Sequence, residues 1–492
     1  MNRYKNIAAV VFLLLLLTGC SDFLDIKPKG KDIAETIAHY NGLFNNNTMA
    51  SFNYSRVMPN GSVGMLASNV YSVYMSDEHI ADAESFARMD KYAQRAYTWN
   101  DDLFVDDAYS AEWGACYQHM YVYNVICENV MSAIDGTREE KEAILSEARV
   151  SRAYLYMMLV QWFCKPYNEA TASTDLGVPI VKVPNSVETS FNRASVKEVY
   201  DFIITELEEA CPLLQEKAQH RLRIYQPAGY MILGRAYMLT GQYNKAAEAF
   251  QKAETAISMS NIDLGLFDYN TMLSSWGYNP AVPHGWTSGY PNNFNTANKE
   301  VVYNKQISLL SIVMYVYNPS IYLKPEYYSL FQAGDHRRKF FANMNNLGNT
   351  TYPYHRRLGS RTLVNEGAEM PEFYLSYAES LARIGNTAKA RQLLTTLREH
   401  RMEPGTEAIP QSIINQEDLV RFCVEERLRE YMGTGHRWFD MRRLWHDPLF
   451  QHLKANYTHT DGTTTYTLTE KRLVMRIPSR VLDFNTTWID NE

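Results

Sequence analysis

Residues 227–257 read PAGYMILGRAYMLTGQYNKAAEAFQKAETAI. The apolar and small positions recur at helical spacing, so the stretch predicts two amphipathic helices. Tyr230, Leu233, Gly234, Tyr237, Ala246, Phe250 and Ala253 set the frame. Small residues let two antiparallel helices approach closely, and aromatics fill the space left between them. Residues 371–401 (PEFYLSYAESLARIGNTAKARQLLTTLREHR) repeat that frame with Tyr374, Ala378, Leu381, Gly385, Ala390 and Leu394.

These offsets are those of the tetratricopeptide signature. The second copy starts 144 residues after the first (227 to 371), which excludes a tandem array and predicts a helical scaffold interrupted by long insertions. Working outward, residues 112–134 and 138–163 read as two consecutive amphipathic helices separated by Asp135-Gly136-Thr137. Acids open the second, as the helix dipole favours. A third helix over about 195–214 starts at Ser195, with Glu198 completing a candidate capping box. The last long helix covers about 416–431 and runs into Gly433 and Gly435, glycines suited to a left-handed C-cap. Residues 471–478 (KRLVMRIP) predict a strand.

The largest insertion is about 261–300, rich in Asn, Gly, Pro and Ser yet carrying Trp276, Tyr278, Trp286, Tyr290 and Phe294. Aperiodic segments of that length are usually functional or disordered, and the aromatics argue against disorder. It ends in Lys299-Glu300-Val301-Val302-Tyr303, a short apolar strand or buried segment.

The whole chain of 492 residues is 46% hydrophobic with a net charge of −7, which excludes a disordered chain and disfavours a phosphate-backbone binder. Its 35 Tyr stand out and await placement. At the N-terminus, Arg3 and Lys5 precede an apolar run from Ile7 to Leu17, too short to span a bilayer and suited to a secretory signal. Leu17-Thr18-Gly19-Cys20 follows directly and resembles a bacterial lipobox, which implies cleavage before Cys20 and lipid on its thiol. Cys116, Cys127, Cys164, Cys211 and Cys423 remain, an odd number without a C-x-x-C, and most read as small buried hydrophobes.

Other motifs point the same way. Ser21-Asp22-Phe23-Leu24-Asp25 and a Pro follow the lipobox; Tyr74-Met75-Ser76-Asp77-Glu78 comes later; Trp113 and Tyr117 precede Asn124 and Asn129. Glu147-Ala148-Arg149 leads to Arg152-Ala153-Tyr154, Lys299-Glu300-Val301-Val302 closes the insertion, and Asp335-His336-Arg337-Arg338 follows. Most specific are Glu426-Arg427 with Glu430, then Gly435-His436-Arg437-Trp438-Phe439-Asp440 and Arg442-Arg443. This set resembles the SusD/RagB family, the lipid-anchored nutrient-binding proteins of the Bacteroidetes. Only the terminus departs from the family pattern, with Met475 to Pro478 a loose match.

The resemblance implies a mainly α-helical, SusD-like scaffold of tetratricopeptide-type helix pairs with long loops on one face and little β structure. Residues 1–19 would be a signal peptide and 20–31 a tether. Residues 32–492 would form a single body, with an N-terminal part over about 32–215 and a C-terminal part over about 260–492. It further implies an outer-membrane, surface-exposed lid on a SusC-like TonB-dependent transporter, binding glycans without catalysis or cofactor and with no nucleic-acid partner. The same lid for peptides, a glycoside hydrolase and a protein-binding tetratricopeptide module are the alternatives.

Glu426, Arg427, Glu430, Arg437, Trp438, Asp440 and Arg443 concentrate charge, and a structural lock is the expected role, since ion-pair networks form without catalysis. Ligand contact is expected from Trp276, Tyr278, Trp286, Tyr290 and Phe294, because flat aromatic rings cover the C–H face of a sugar. Packing of the insertion onto the scaffold is the competing role. Tyr71, Tyr74 and Trp99 are secondary candidates. The acidic run Asp101, Asp102, Asp106, Asp107 and Glu112 lacks the ligand pattern of an EF-hand, and reads as a surface loop with an irregular calcium site left open.

Overall fold

The computed structural model describes residues 34–52, 54–57, 63–66, 71–101, 103, 110–184, 191–282, 285, 298–308, 319–345, 348–358 and 363–491. Helices dominate. In chain order the long ones are α1 (Ala111–Asn129), α2 (Arg138–Phe163), α3 (Val196–Ala210), α4 (Gln226–Leu239), α5 (Tyr243–Ser258), α6 (Met370–Arg383), α7 (Thr387–Glu399), α8 (Gln416–Tyr431) and α9 (His436–Arg443). Short antiparallel ribbons supply the β structure, among them β1 (Val301–Tyr303), β2 (Tyr322–Leu323), β3 (Phe341–Met344), β4 (Thr351–Arg357) and β5 (Ala368–Glu369).

Local chemistry sets the helix ends. Thr137 and Glu140 form a reciprocal capping box at the start of α2, and Ser195 with Glu198 does the same for α3. α1 and α3 end earlier than their patterns suggest, each passing into a single 3-10 turn, Val130–Ser132 and Cys211–Leu213. From Val150 to Phe163 every residue of α2 is buried, the mark of a helix that runs through the core.

Consecutive helices from α1 to α7 pack side by side, and α8 returns onto α6. The two tetratricopeptide-type pairs, α4–α5 and α6–α7, are therefore spatial neighbours despite their separation in sequence. Phe250 of α5 meets Tyr377 of α6 with ring centroids 6.1 Å apart. Gly234 is what brings α4 onto α5: a Cβ there would lie 2.7 Å from the Phe250 ring.

The expected strand at 471–478 is instead a 3-10 turn (Glu470–Leu473) followed by extended chain. Leu473, Met475 and Ile477 do alternate inward. Their backbone bonds, however, go to isolated groups: Met475 N–H donates to Trp162 O and Ile477 N–H to Asp490 Oδ1, so no ladder forms. Val301–Tyr303 is a strand as read, pairing antiparallel with β5. No described helix is long and apolar enough to cross a membrane.

One hydrophobic core runs from Tyr40 to Ile477. A second, smaller one gathers Phe267, Tyr269, Leu273, Trp276, Leu323, Phe331, Phe340, Phe341, Leu358, Leu428 and Met432. That second core lies under the insertion and the β3–β4 hairpin, and it supports the site described next.

Candidate functional site: an aromatic hairpin on a buried ion-pair base

Beneath the site, four guanidiniums meet four carboxylates out of contact with water. Glu426 takes Arg337, Arg398 and Arg429, while Glu430 takes Arg337 and Arg401. Asp335 accepts from Arg337, and Glu300 from Arg401. The i, i+4 spacing puts Glu426 and Glu430 on one face of α8. The network fixes two chain segments. Arg401 also donates to Phe267 O at 2.8 Å, and Glu300 accepts the Phe267 N–H at 2.8 Å, which clamps the root of the insertion. Arg337 clamps the 3-10 segment His336–Phe340 that leads into β3.

Related pairs tie α9 down. Arg437 bonds Asp77 at 2.8 Å, Arg443 bonds Glu379 and Asp440, and Arg427 reaches Asp440 at 3.3 Å. Trp438 is buried beside them. Burial opposes ionisation of Asp77, but Arg437, the Tyr327 hydroxyl and Lys324 outweigh it and hold the carboxyl below its ordinary range.

On this base stands the hairpin. Strand period puts alternate side chains of β4 on opposite faces. Tyr352, Tyr354 and Arg356 take one face, where Tyr322 of β2 packs with ring centroids 5.9 Å from Tyr352 and 6.0 Å from Tyr354. His355 takes the other and stacks on Tyr328 at 3.6 Å and 11°. Burial, then Arg338, lowers the pKa of His355, so the stacked ring is neutral at neutral pH.

A cleft of about 470 Å³ opens on the His355 side, lined by Tyr278, Tyr328, Arg338, Lys339, His355 and Glu403 among others. That size lies within the range of about 300–1,000 Å³ common to ligand pockets. Tyr278 belongs to the lining from the insertion. Its loop is pinned by Tyr278 N–H to Leu273 O and by Asn279 N–H to Gly285 O. Gly285 has φ +75°, and a Cβ there would lie 2.5 Å from the Tyr278 ring, so glycine is required twice over.

Of the aromatics expected to touch ligand, Tyr278 is half-buried and faces this cleft. Trp276 is interior, edge-on to Phe267 and Tyr269 at 5.3 Å. Trp286, Tyr290 and Phe294 lie outside the described residues, as does Cys20. Tyr71 and Tyr74 are buried. Trp99 is buried as well, with φ +47°, stacked on His459 at 4.1 Å and donating to Met75 O at 3.0 Å. Tyr328, His355 and Arg338 were not singled out as ligand contacts in the sequence. The alternation of Thr351 to Arg357 is a signal that could have found His355; Tyr328 and Arg338 lie outside it and carry no such local signal.

In the acidic run, Asp101 pairs with Arg472 and Glu112 accepts from Ser110. Asp102, Asp106 and Asp107 lie outside the described residues. The other five Cys are free thiols, four of them buried.

A repeat-type helical body that presents an aromatic hairpin over a rigid ionic base is the architecture of a binding scaffold. Residues 22–238 match the sequence model of a family described as "Starch-binding associating with outer membrane", and residues 370–488 match that of the SusD family. The chain belongs to the SusD/RagB family.

Solved structures agree on the fold. A SusD superfamily protein from Bacteroides fragilis superposes with TM-score 0.67 at 18% identity, covering 92% of this chain and 99% of its own. A protein from Bacteroides vulgatus described as a putative sugar-binding protein gives 0.65 at 19%, covering 94% and 99%. A laminarin-binding SusD-like protein gives 0.63 at 17%, covering 94% and 99%. No protein with a curated description matches the sequence.

Proposed function

We propose that this protein binds oligosaccharides at the aromatic hairpin, without catalysis, and passes them as a lid to a SusC-like TonB-dependent transporter. In this reading it is held on the outer membrane by lipid on Cys20. The observation that carries the reading is the Tyr328–His355 stack in the lining of an open cleft that Tyr278 lines as well. Flat rings cover the apolar face of a pyranose at little conformational cost, and the polar groups around them satisfy its hydroxyls. The family match and the sugar-binding relatives support the ligand class.

Non-catalytic binding has its own support. A glycosidase works with a pair of carboxylates. Among the described residues two carboxylates line this cleft, and of these Asp335 is buried and accepts from Arg337 at both oxygens, which leaves Glu403 without a second free acid there.

Isothermal titration against a glycan panel tests the ligand. Tyr328→Ala is expected to weaken the best glycan by on the order of 1–2 kcal/mol in a protein that still folds, its melting temperature lowered by the packing lost against Phe331 and His355. Unchanged affinity removes this cleft from the site, and a preference for peptides over every glycan overturns the ligand class. Co-purification of a TonB-dependent barrel with the membrane-extracted protein tests the lid.

A further inference from the structure

We propose that the cleft takes an acidic glycan, one bearing uronate carboxylates or sulfate esters. The inference rests on the glycan reading above and names its chemical class. It comes from a census of the charged groups that line the cavity. Asp335 is buried and its charge is met by Arg337, which donates to Oδ1 at 2.9 Å and to Oδ2 at 2.7 Å. The Lys339 ammonium donates to His336 Nδ1 at 2.7 Å and lies 5.3 Å from the centre of the Tyr278 ring, and the charge of Glu403 acts on it with opposite sign. Lys339 and Glu403 therefore offset each other.

Arg338 has no such counterpart. It is exposed, its guanidinium lies 5.9 Å from the centre of the Tyr328 ring, and among the described residues no carboxylate pairs with it. It contrasts with its neighbour Arg337, which is 3% exposed and bonded to three carboxylates. One aromatic platform thus carries a stacking face and an unneutralised planar cation side by side.

A neutral sugar would use the platform and leave the guanidinium to water. A uronate or sulfated sugar would use both, since a guanidinium matches a planar carboxylate or a sulfate with two parallel hydrogen bonds. Such charge-assisted bonds are about twice as strong as neutral ones. The protein's net charge of −7 does not oppose this at contact range, because exposed charges are screened beyond about 8 Å at physiological ionic strength. It does mean that non-specific attraction of a polyanion is weak, so acidic binding reports the cleft.

The test uses two matched pairs of chains that differ only in charge: polygalacturonate with its methyl ester, and dextran sulfate with dextran. Affinity electrophoresis or titration is run on the full protein, on Arg338→Gln and on Tyr328→Ala. At least one acidic chain is expected to bind about tenfold more tightly than its neutral counterpart, and added salt should erode that advantage. Arg338→Gln should abolish the preference, bringing the acidic chain down to its neutral counterpart, while leaving the melting temperature as it was. Tyr328→Ala should weaken both members of a pair. The pair that responds identifies carboxylate or sulfate as the recognised group.

Equal binding within both pairs, or an acidic preference that survives Arg338→Gln, overturns the proposal while leaving the glycan reading standing. Failure of every carbohydrate, these chains and a wider neutral panel alike, overturns both.

Discussion

Glu78 is fully buried beside an ion pair it does not join. The next residue back, Asp77, takes Arg437, while Glu78 accepts one bond through Oε1, from the Gly433 N–H at 2.9 Å. Burial pushes its carboxyl up to about 8, against the bond from Gly433 and with the push of Asp77. Between the ordinary carboxylate range and that value the folded chain holds a proton that the unfolded chain has lost, so stability falls as pH rises through this window. Glu78→Gln keeps an oxygen for Gly433 and removes the titration. The variant should match the wild type near pH 5 and be more stable by up to a few kcal/mol near pH 8, read by denaturant melts at both.

Glu379 runs the opposite way. Burial raises its pKa, but Arg443 and Arg383 outweigh that and lower it to about 2. Its contribution is present above the ordinary carboxylate range and is lost as pH falls toward 2. Deletion within the α8 network is harsher. Glu426→Ala takes a carboxylate from Arg337, Arg398 and Arg429 in a dry interior, leaves Arg398 with no carboxylate among the described residues, and should cost about 3–5 kcal/mol by chemical denaturation. A loss below 1 kcal/mol would mean water reaches those guanidiniums. The concentration of charge from Glu426 to Arg443 was legible in the sequence. The partners were not, because Asp77 is 360 residues from Arg437 and local spacing carries no trace of it.

At the scale of elements, the helices were legible because caps and the 3.6-residue period are local. α2 and α8 occupy the residues their patterns predict, and the capping box at Ser195 is in place. The ribbons were harder to read, since a two- or three-residue strand has almost no period and is defined by its partner. Packing of α4 on α5 was legible down to one residue. Gly234→Ala puts a methyl into the Phe250 ring and should cost about 1–3 kcal/mol, while Gly241→Ala, with open space around it, should show only the smaller cost of its left-handed backbone. Comparing the two melts separates overpacking from backbone strain. In the site, the aromatic content of the insertion was legible but its direction was not. Trp276 and Tyr278 are two residues apart, yet one fills the second core and the other faces the cleft.

Across the whole molecule, early and late segments interlock. Tyr154 donates to Glu366 O at 3.0 Å, Arg442 to Cys164 O at 2.6 Å, and His459 bonds Ser76 O at 2.9 Å between the rings of Tyr97 and Trp99. With a core continuous from Tyr40 to Ile477, calorimetry should show one transition. Two resolved transitions would divide the body at the stretch between the parts read from sequence. Many of the 35 Tyr belong to that core, as Tyr154, Tyr225 and Tyr237 do, and composition alone could not tell them from the few at the cleft.

The dry guanidiniums also bear on proteolysis. Trypsin-like enzymes cleave after Arg, and they need the flanking chain extended in their own cleft. Arg337, Arg398, Arg401 and Arg429 each cross-link separate turns of chain, so none can be presented by fraying one loop. Cutting there requires the network to open as a unit, an event as rare as subglobal unfolding. Arg338 is exposed, but it sits in the same 3-10 segment that Arg337 clamps, so the bond after it is shielded until the network opens.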